Sequence, residues 1–138
     1  ASYGVKIDET SRYYQVHAAA RTAVPAEHLA FLNALPLPYE TDDYIFVHAG
    51  IRPDVALAAQ TERDLLWIRE PFLSHSAPRA KMIIHGHTAL EAPQLYSNRL
   101  NLDGGAGYGR PLTPVVIDNK QVFCLGALGR VLLEQSAL

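Results

Sequence analysis

The clearest hydrophobic pattern in the chain is a short apolar run that ends at a histidine, and it occurs twice. Residues 44–47 are Tyr-Ile-Phe-Val and are followed by His48 and two small residues. Residues 82–84 are Met-Ile-Ile and are followed by the tripeptide His-Gly-His, which ends at His87. β-Branched and aromatic residues favour strands, and small residues let the chain turn where each run ends. The pattern predicts two buried strands that present His48 and His87 at their carboxyl ends.

The helical segments are recognised by apolar residues at helical spacing and by proline. Pro25 suits the first position of a helix, and leucines at 29, 32 and 35 give that helix a broad apolar face before Pro36 ends it. Two further segments are predicted to be helical: an Ala-rich stretch after Pro53, and a second segment that ends before Pro71. The predicted helices cover residues 17–21, 25–35, 54–60 and 62–69.

Short runs of strand-forming residues, separated by turn residues, account for most of the remaining pattern. Thr-Asp-Asp at 41–43 and Asp-Asn-Lys at 118–120 each separate two such runs and predict two β-hairpins. The predicted strands cover residues 37–40, 44–48, 82–85, 94–96, 99–102, 112–117 and 121–125. Residues 73–80 are expected to form a loop with His75 at the surface. The predicted fold class is α/β (α+β), and the absence of any linker-like stretch predicts one unit.

Composition favours a globular domain and argues against two classes of partner. The 138 residues are 49% apolar, which is enough to bury a core. The 14 acidic and 12 basic residues form no block of one sign, so no basic surface for nucleic acid or an anionic membrane is expected. There is no apolar run of about 20 residues and no signal-peptide pattern, which predicts a cytoplasmic protein. Cys124 lies in an apolar segment and is expected to be a small buried hydrophobic residue.

The first residues suggest that the chain is part of a longer protein. It begins without an initiator methionine and reaches a Tyr-Gly pair at once. We therefore expect the sequence to begin in the interior of a longer protein.

The two histidines are candidate metal ligands. In open α/β sheets, ligands bind outside the carboxyl ends of the strands, so His48 and His87 could converge on one site. A neutral imidazole held at a rigid strand end can bind a transition metal. The alternative is a pair of core or loop histidines that are satisfied by hydrogen bonds. Two ligands also make an incomplete site, because a catalytic divalent metal takes at least three protein ligands.

Two arginines are candidates for binding an oxyanion. Arg69 follows the apolar group Leu-Leu-Trp-Ile at 65–68, so its backbone should be held in place while the guanidinium projects. The planar fork of arginine can bind two phosphate oxygens at once. The alternative for Arg69 is a salt bridge to Glu70 or to another acidic residue. Arg52 is a second and weaker candidate.

A glycine-rich stretch follows the strand predicted at residues 99–102. Residues 103–109 contain four glycines but lack the GxGxxG spacing before a helix, so they do not form a dinucleotide-binding loop. We expect a tight loop at the rim of the site, with Tyr108 either covering the pocket or buried at its edge.

Four of these segments, taken in order, resemble motifs of a known enzyme family. The chain is similar to bacterial phosphoprotein phosphatases, which are calcineurin-like metallophosphoesterases, from about residues 2–4 to the strand at 114–117. The segments are FVHAGIRP at 46–53, LLWIR at 65–69, HGHT at 85–88 and LDGGA at 102–106.

The resemblance implies a fold and a set of site residues. Such enzymes have a β-sandwich flanked by helices and hold two divalent metal ions, with manganese favoured here and iron or zinc as alternatives. By position in the motifs, His48 and His87 would bind the second metal, and Arg69 would be the catalytic arginine that binds substrate phosphate. His85 is given no metal role, and Tyr108 is placed near the pocket rim only by analogy.

The chain also lacks part of the family pattern. The GDxHG, GDxxDRG and GNHE motifs should precede residues 2–4 and are absent. In the family they supply the remaining metal ligands and the histidine that protonates the leaving group. We therefore predict that residues 1–138 are the carboxyl-terminal half of the domain, that its amino-terminal half is missing, and that the chain alone is inactive.

The expected activity of the full-length protein is hydrolysis of phosphomonoesters by a metal-activated hydroxide, with phosphoserine or phosphothreonine proteins as substrates. Two alternatives remain. The first is a diadenosine polyphosphate hydrolase, which would use the same site. The second is a non-catalytic fragment that associates with the missing half or with a second copy, because an incomplete sandwich leaves unpaired strand edges.

Overall fold

A computed structural model of the protein describes residues 2–136. The chain divides into two compact units, Ala1–Pro36 and Leu37–Leu138, where the sequence predicted one. The smaller unit contains helices α1 (Tyr13–Ala23) and α2 (Ala26–Asn33). Helix α1 is longer than the segment predicted at 17–21. Helix α2 lies within the predicted 25–35, but Pro25 is its N-cap residue and it ends at Asn33, two residues early.

The apolar face predicted for α2 is present in the sequence but is not buried. Neither helix contains a buried residue, and Phe31 is 64% exposed. Leu29, Leu32 and Leu35 are also exposed. These helices therefore contribute apolar surface but no core.

The larger unit is built on a five-stranded mixed sheet. Its spatial order is β1-β2-β3-β5-β4, in which β2, β3 and β5 run parallel and the two outer strands run antiparallel to their neighbours. The predicted hairpin around residues 41–43 joins β1 to β2. The strands are β1 (Tyr39–Glu40), β2 (Tyr44–Phe46), β3 (Met82–His85), β4 (Gln94–Leu95) and β5 (Arg99–Asn101).

The central strand β3 is buried on both faces of this sheet. Ile83 lies in one hydrophobic cluster with Leu65, Ile68 and Phe72, next to helix α3 (Glu62–Trp67). Ile84, the next residue, lies in a second cluster on the other face. Alternate residues of a strand point to opposite faces, so two adjacent isoleucines anchor the strand in two separate layers.

A three-stranded antiparallel sheet forms the second layer. It contains β6 (Val115–Asp118), β7 (Gln121–Gly126) and β8 (Gly129–Leu132), in that order. Val122 of β7 packs with Ile84 and Leu100 of the first sheet. The hairpin predicted around 118–120 is confirmed, and Asn119 and Lys120 both have the positive φ of a tight hairpin turn. Helices with mixed and antiparallel sheets give the α/β class that the sequence predicted.

The helix predicted over residues 54–60 is wrong. Asp54 has a φ of 59°, which is incompatible with the start of a helix, and only a short 3-10 turn forms at Leu57–Ala59. The Gln60 side chain accepts from the backbone N–H of Arg52 at 2.7 Å and donates to the carbonyl of Val55 at 2.9 Å. These side-chain bonds to the backbone hold the segment as a loop in place of a helix.

Two smaller expectations also need correction. Cys124, expected to be buried, is only half-buried. His75, expected at the surface, is half-buried, and its carbonyl accepts a hydrogen bond from the Asn98 side chain. Within residues 2–136 no helix is long and apolar enough to span a bilayer.

A histidine pair at the carboxyl edge of the sheet

The backbones of two parallel strands bring His48 and His87 together. Residues of β2 and β3 are paired in parallel register, and the pairing continues past the strand ends. The Val47 N–H donates to the carbonyl of Ile84 at 3.0 Å, and the Gly86 N–H donates to the carbonyl of His48 at 2.9 Å. Both histidines therefore leave the same edge of the sheet, as the sequence predicted.

The two imidazole rings face each other closely. Nε2 of His48 lies 3.2 Å from Nδ1 of His87, and the rings meet edge to face with their centroids 5.0 Å apart. His48 is exposed and His87 is half-buried. One nitrogen can donate to the other in a hydrogen bond, or both can offer lone pairs to one cation.

The separation of the nitrogens fits two ligands of a single ion. Ligand nitrogens about 2.0–2.1 Å from one tetrahedral metal lie about 3.3–3.4 Å apart. The 3.2 Å between Nε2 of His48 and Nδ1 of His87 is close to this value. Between residues 2 and 136, however, no group of three or more His, Cys, Asp or Glu side chains is arranged to hold a metal. The residues present fit half of one coordination sphere.

The backbone at His87 is in an unusual conformation that neighbouring residues hold in place. Its φ is 65°, in the left-handed region that a residue other than glycine rarely adopts. The Thr88 N–H donates to the carbonyl of Gly86 at 2.7 Å, and the Asn101 side chain donates to the carbonyl of Thr88 at 2.9 Å. Such conformations cost about 1–3 kcal/mol and are common at functional sites.

One polar atom of this pair and one of the following residue are buried without a hydrogen-bond partner among the described residues. They are Nε2 of His87 and Oγ1 of Thr88. A metal-bound histidine normally donates its other ring N–H to a carboxylate, a carbonyl or water. The position of Nε2 is therefore suited to a further acceptor.

The surroundings of His87 favour its neutral form. Burial is the main cause that lowers the pKa of His87, and the positive charges of Arg69 and His48 act in the same sense. The carboxylate of Asp103 opposes them. A neutral imidazole is the form that binds a metal, so this ring remains a competent ligand at neutral pH.

The segment Leu65 to Arg69 places two side chains beside the histidines because Leu65 and Ile68, three positions apart, are anchored in the core. Leu65 and Ile68 are buried, and the carbonyl of Leu65 accepts from the Ala49 N–H at 2.8 Å. Trp67 is 65% exposed, and its ring meets that of His87 edge to face at 5.6 Å. Arg69 is exposed and close enough to affect the pKa of His87.

Arg69 makes no salt bridge with any residue in the described part of the chain. The alternative bridge to Glu70 is not formed. The Glu70 carboxylate instead accepts a hydrogen bond from the Ser74 hydroxyl at 2.6 Å. Arg69 borders an open surface pocket of about 650 Å³ with Trp67 and Arg63. Its guanidinium is thus available to an oxyanion at the side of the histidine pair.

Arg52, the second candidate for phosphate binding, is already engaged. Its Nη2 donates to Oδ1 of Asp64 at 2.7 Å and its Nε to Oδ2 at 3.2 Å. The hydrogen bonds from Arg52 and Thr61 lower the pKa of Asp64, and this pairing raises the pKa of Arg52. The fork that would hold phosphate is occupied by a carboxylate, so the structure assigns Arg52 a structural role.

Asp103 lies near the site, although the sequence reasoning gave it no role. It follows β5, the third parallel strand, and its Cβ would be 3.4 Å from a Cβ added to Gly86. Its Oδ1 accepts from the Gly105 N–H at 2.9 Å, which fixes the start of the glycine-rich loop. The sequence contains the same indication for Asp103 as for the two histidines, because each is a polar residue at or directly after the end of a predicted strand.

His85 and Tyr108, the other two residues considered from the sequence, differ in exposure: the first is buried and the second is exposed. His85 is 3% exposed, and its Nδ1–H donates to the Gly86 carbonyl at 3.1 Å. Its ring packs edge to face on Phe72, and burial lowers its pKa to about 4. Tyr108 is 83% exposed on a 3-10 turn between two glycines of left-handed conformation. Of its two expected positions, burial at the pocket edge is wrong, and the covering position stays a prediction.

No protein-family model, curated protein or solved structure matches this chain. The resemblance to metallophosphoesterases therefore remains a hypothesis from the sequence motifs.

Proposed function

We propose that the protein containing this chain is a metal-dependent phosphomonoester hydrolase that acts on phosphoserine or phosphothreonine. In this proposal the chain is the carboxyl-terminal half of a calcineurin-like metallophosphoesterase, and its two packed sheets belong to the β-sandwich of that family. The observation that carries the proposal is the 3.2 Å approach of the His48 and His87 nitrogens at the ends of adjacent parallel strands.

The residues of this chain would divide the work in the following way. Two divalent ions, manganese or alternatively iron or zinc, would supply water of lowered pKa and neutralise charge on the phosphoryl group. His48 and His87 would hold one of the ions in its place. The free guanidinium of Arg69 would bind two oxygens of the transferring phosphoryl group and stabilise the charge that develops on them.

The chain alone should not carry out this reaction. His48 and His87 alone leave their ion without a third protein ligand, because no group of three or more His, Cys, Asp or Glu side chains among residues 2–136 could hold a metal. The absent carboxylates, amide and histidine are those of the GDxHG, GDxxDRG and GNHE motifs. Adding the amino-terminal half should therefore create the activity.

Phosphatase assays on the full-length protein test this proposal. With a phosphoserine peptide and Mn²⁺, the full-length protein should release phosphate, and His87→Ala should lose most of this activity. The 138-residue chain provides the matched control and should be inactive. A full-length protein that folds but shows no metal-dependent release from any phosphomonoester would refute the proposal.

The exposed indole of Trp67 favours a second candidate, a diadenosine polyphosphate hydrolase. It borders a pocket together with Arg63 and Arg69. Aromatic side chains stack on nucleobases, and arginines bind phosphates, so a dinucleotide could use both. A strong preference of the full-length protein for diadenosine tetraphosphate over a phosphopeptide would select this candidate.

The exposed helix face supports a third candidate, a non-catalytic fragment that associates with its missing half or with a second copy. Phe31, Leu32 and Leu35 of the smaller unit are all exposed, and exposed apolar surface can mark an interface when it forms a large patch. Sedimentation of the purified chain tests it. A monomer at high concentration would argue against self-association.

A further inference from the structure

An exposed tryptophan lies against His87, one of the two candidate metal ligands. Trp67 is the last residue of helix α3, and it is 65% exposed. Its indole nevertheless meets the imidazole of His87 edge to face, with the ring centroids 5.6 Å apart and the two planes at 87°. Aromatic rings attract each other in this arrangement, so the contact is a favourable one.

The His87 ring has few other contacts that fix its orientation. Its Nδ1 lies 3.2 Å from Nε2 of His48, and its own Nε2 has no hydrogen-bond partner among the described residues. A histidine that binds a metal is usually oriented by a hydrogen bond from its other ring nitrogen. Because His87 makes no such bond within residues 2–136, its ring depends on the indole of Trp67 for support on the side away from His48.

His85, two residues earlier, receives the same kind of support. Its ring meets the buried ring of Phe72 edge to face, with the centroids 4.9 Å apart and the planes at 81°. Its Nδ1–H also donates to the carbonyl of Gly86 at 3.1 Å. Helix α3 and the residues that follow it thus supply one aromatic ring to each histidine. For His85 a hydrogen bond adds to that contact, whereas the described part of the chain offers none to Nε2 of His87.

The indole of Trp67 is carried by a short helix that is fixed at both ends. At the start of the helix, the Thr61 hydroxyl accepts from the Asp64 N–H at 3.1 Å, and Asp64 is itself buried. Near its end, Leu65 and Ile68 are both buried in the core. A side chain on a rigid element positions its neighbour more precisely than one on a free loop does.

We propose that Trp67 is a positioning residue, which holds the imidazole of His87 in the orientation that aims Nδ1 at an ion shared with His48. It acts through His87, and in this role the indole contacts neither the ion nor the substrate. The inference rests on the metal site of the proposed function, and it adds the residue that orients one of the ligands. Loss of a group that orients a metal ligand typically reduces affinity on the order of 10- to 100-fold.

Zinc binding by the 138-residue chain tests this role. Imidazole is a better ligand for Zn²⁺ than for Mn²⁺, so calorimetry should detect one binding event that His87→Ala removes. Trp67→Leu should weaken that event about tenfold, and Trp67→Phe, which keeps an aromatic ring, should weaken it less. The matched control is Tyr14→Leu, which changes an aromatic residue of α1 that is also 65% exposed, and it should have no effect.

NMR of the metal-free chain separates positioning from a general loss of structure. In the wild type, the ring protons of His87 should show nuclear Overhauser contacts with the indole of Trp67. In Trp67→Leu the His87 ring signals should shift, while those of His28, which packs beside Tyr3, should not. The urea midpoint of Trp67→Leu should stay close to that of the wild type, because the side chain is largely exposed.

Three results would overturn the proposal: equal zinc affinity of Trp67→Leu and wild type, a wild type without a zinc event that depends on His87, or the absence of the Overhauser contacts. If Trp67→Leu fails to fold, the smaller loss in Trp67→Phe and the wild-type NMR contacts still decide. Failure of the proposed function is a separate result. An inactive full-length protein together with a tenfold loss of zinc affinity in Trp67→Leu would refute the phosphatase and support the role of Trp67.

Discussion

His48 and His87 are 39 positions apart in the chain, yet Nε2 of the first lies 3.2 Å from Nδ1 of the second. The parallel pairing of β2 and β3 produces this approach, since it places both strand ends at one edge of the sheet. Arg69 and Asp103 are close enough to influence the same ring. The mixed sheet therefore gathers two potential metal ligands, a cation and a carboxylate from distant parts of the sequence.

Arg69 should matter for catalysis and not for stability. Because it is exposed and makes no salt bridge with a described residue, Arg69→Gln should leave urea unfolding of the chain nearly unchanged. In the full-length enzyme it should reduce kcat/KM for a phosphopeptide by on the order of 100-fold, and Arg69→Lys should reduce it less. Arg21→Met serves as the control for a general loss of positive charge. Equal activity of the Arg69→Gln and Arg21→Met enzymes would refute the assigned role.

Gly50 is expected to be a position where no side chain fits. Its φ is +152°, and an added Cβ would lie 2.3 Å from Cδ1 of Phe72, which is itself buried. Gly50→Ala should therefore lower the free energy of unfolding by about 3 kcal/mol through overpacking and backbone strain.

The matched control for this substitution is Gly126→Ala. No atom lies within 4 Å of a Cβ added there, so the change in unfolding free energy should stay within about 0.5 kcal/mol. Urea denaturation of both variants measures the difference. Similar midpoints for the two would show that the contact between Gly50 and Phe72 is not tight.

The pattern of the sequence was sufficient to predict the strand ends and the hairpins. Residues 44–47 and 82–84 combine strong strand propensity with an abrupt polar stop, and residues 118–120 have the composition of a tight turn. Local patterns of this kind reflect interactions between residues close in the chain. Strands β3 and β7 were therefore predicted within about one residue of their observed limits, and β2 and β6 within about three.

Other features depend on contacts that a local pattern does not encode. The Gln60 side chain bonds to the backbone of Arg52 and so prevents the helix that the Ala-rich composition favoured. The bidentate pairing of Arg52 with Asp64 likewise joins residues 12 positions apart. The leucines of α2 have helical spacing in the sequence, but spacing alone does not determine whether a partner surface covers them.

His85 should make the stability of the chain depend on pH. Burial lowers its pKa to about 4 in the folded protein, against about 6.5 in an unfolded chain. Between these values the unfolded state binds a proton that the folded state does not. Stability is therefore fully present above about pH 6.5 and decreases as the pH falls toward 4, by about 3 kcal/mol in total.

Urea denaturation between pH 4 and 7.5 measures this effect. His85→Leu should remove about 3 kcal/mol of the pH dependence, since leucine does not titrate. The control Gly126→Ala, whose added Cβ would meet no atom within 4 Å and does not titrate, should have the wild-type pH profile. If the His85→Leu profile also coincided with that of wild type, the buried ring would not be the source of the acid sensitivity.

The central claim is that His48 and His87 are two ligands of one metal ion in an incomplete site. Calorimetry with Mn²⁺ on the 138-residue chain tests it most directly. We predict weak binding of one ion, a loss of that binding in both His48→Ala and His87→Ala, and a decrease at low pH, where a proton on His87 competes with the metal. Tight binding of two ions by the chain alone, or binding that survives both substitutions, would contradict the account.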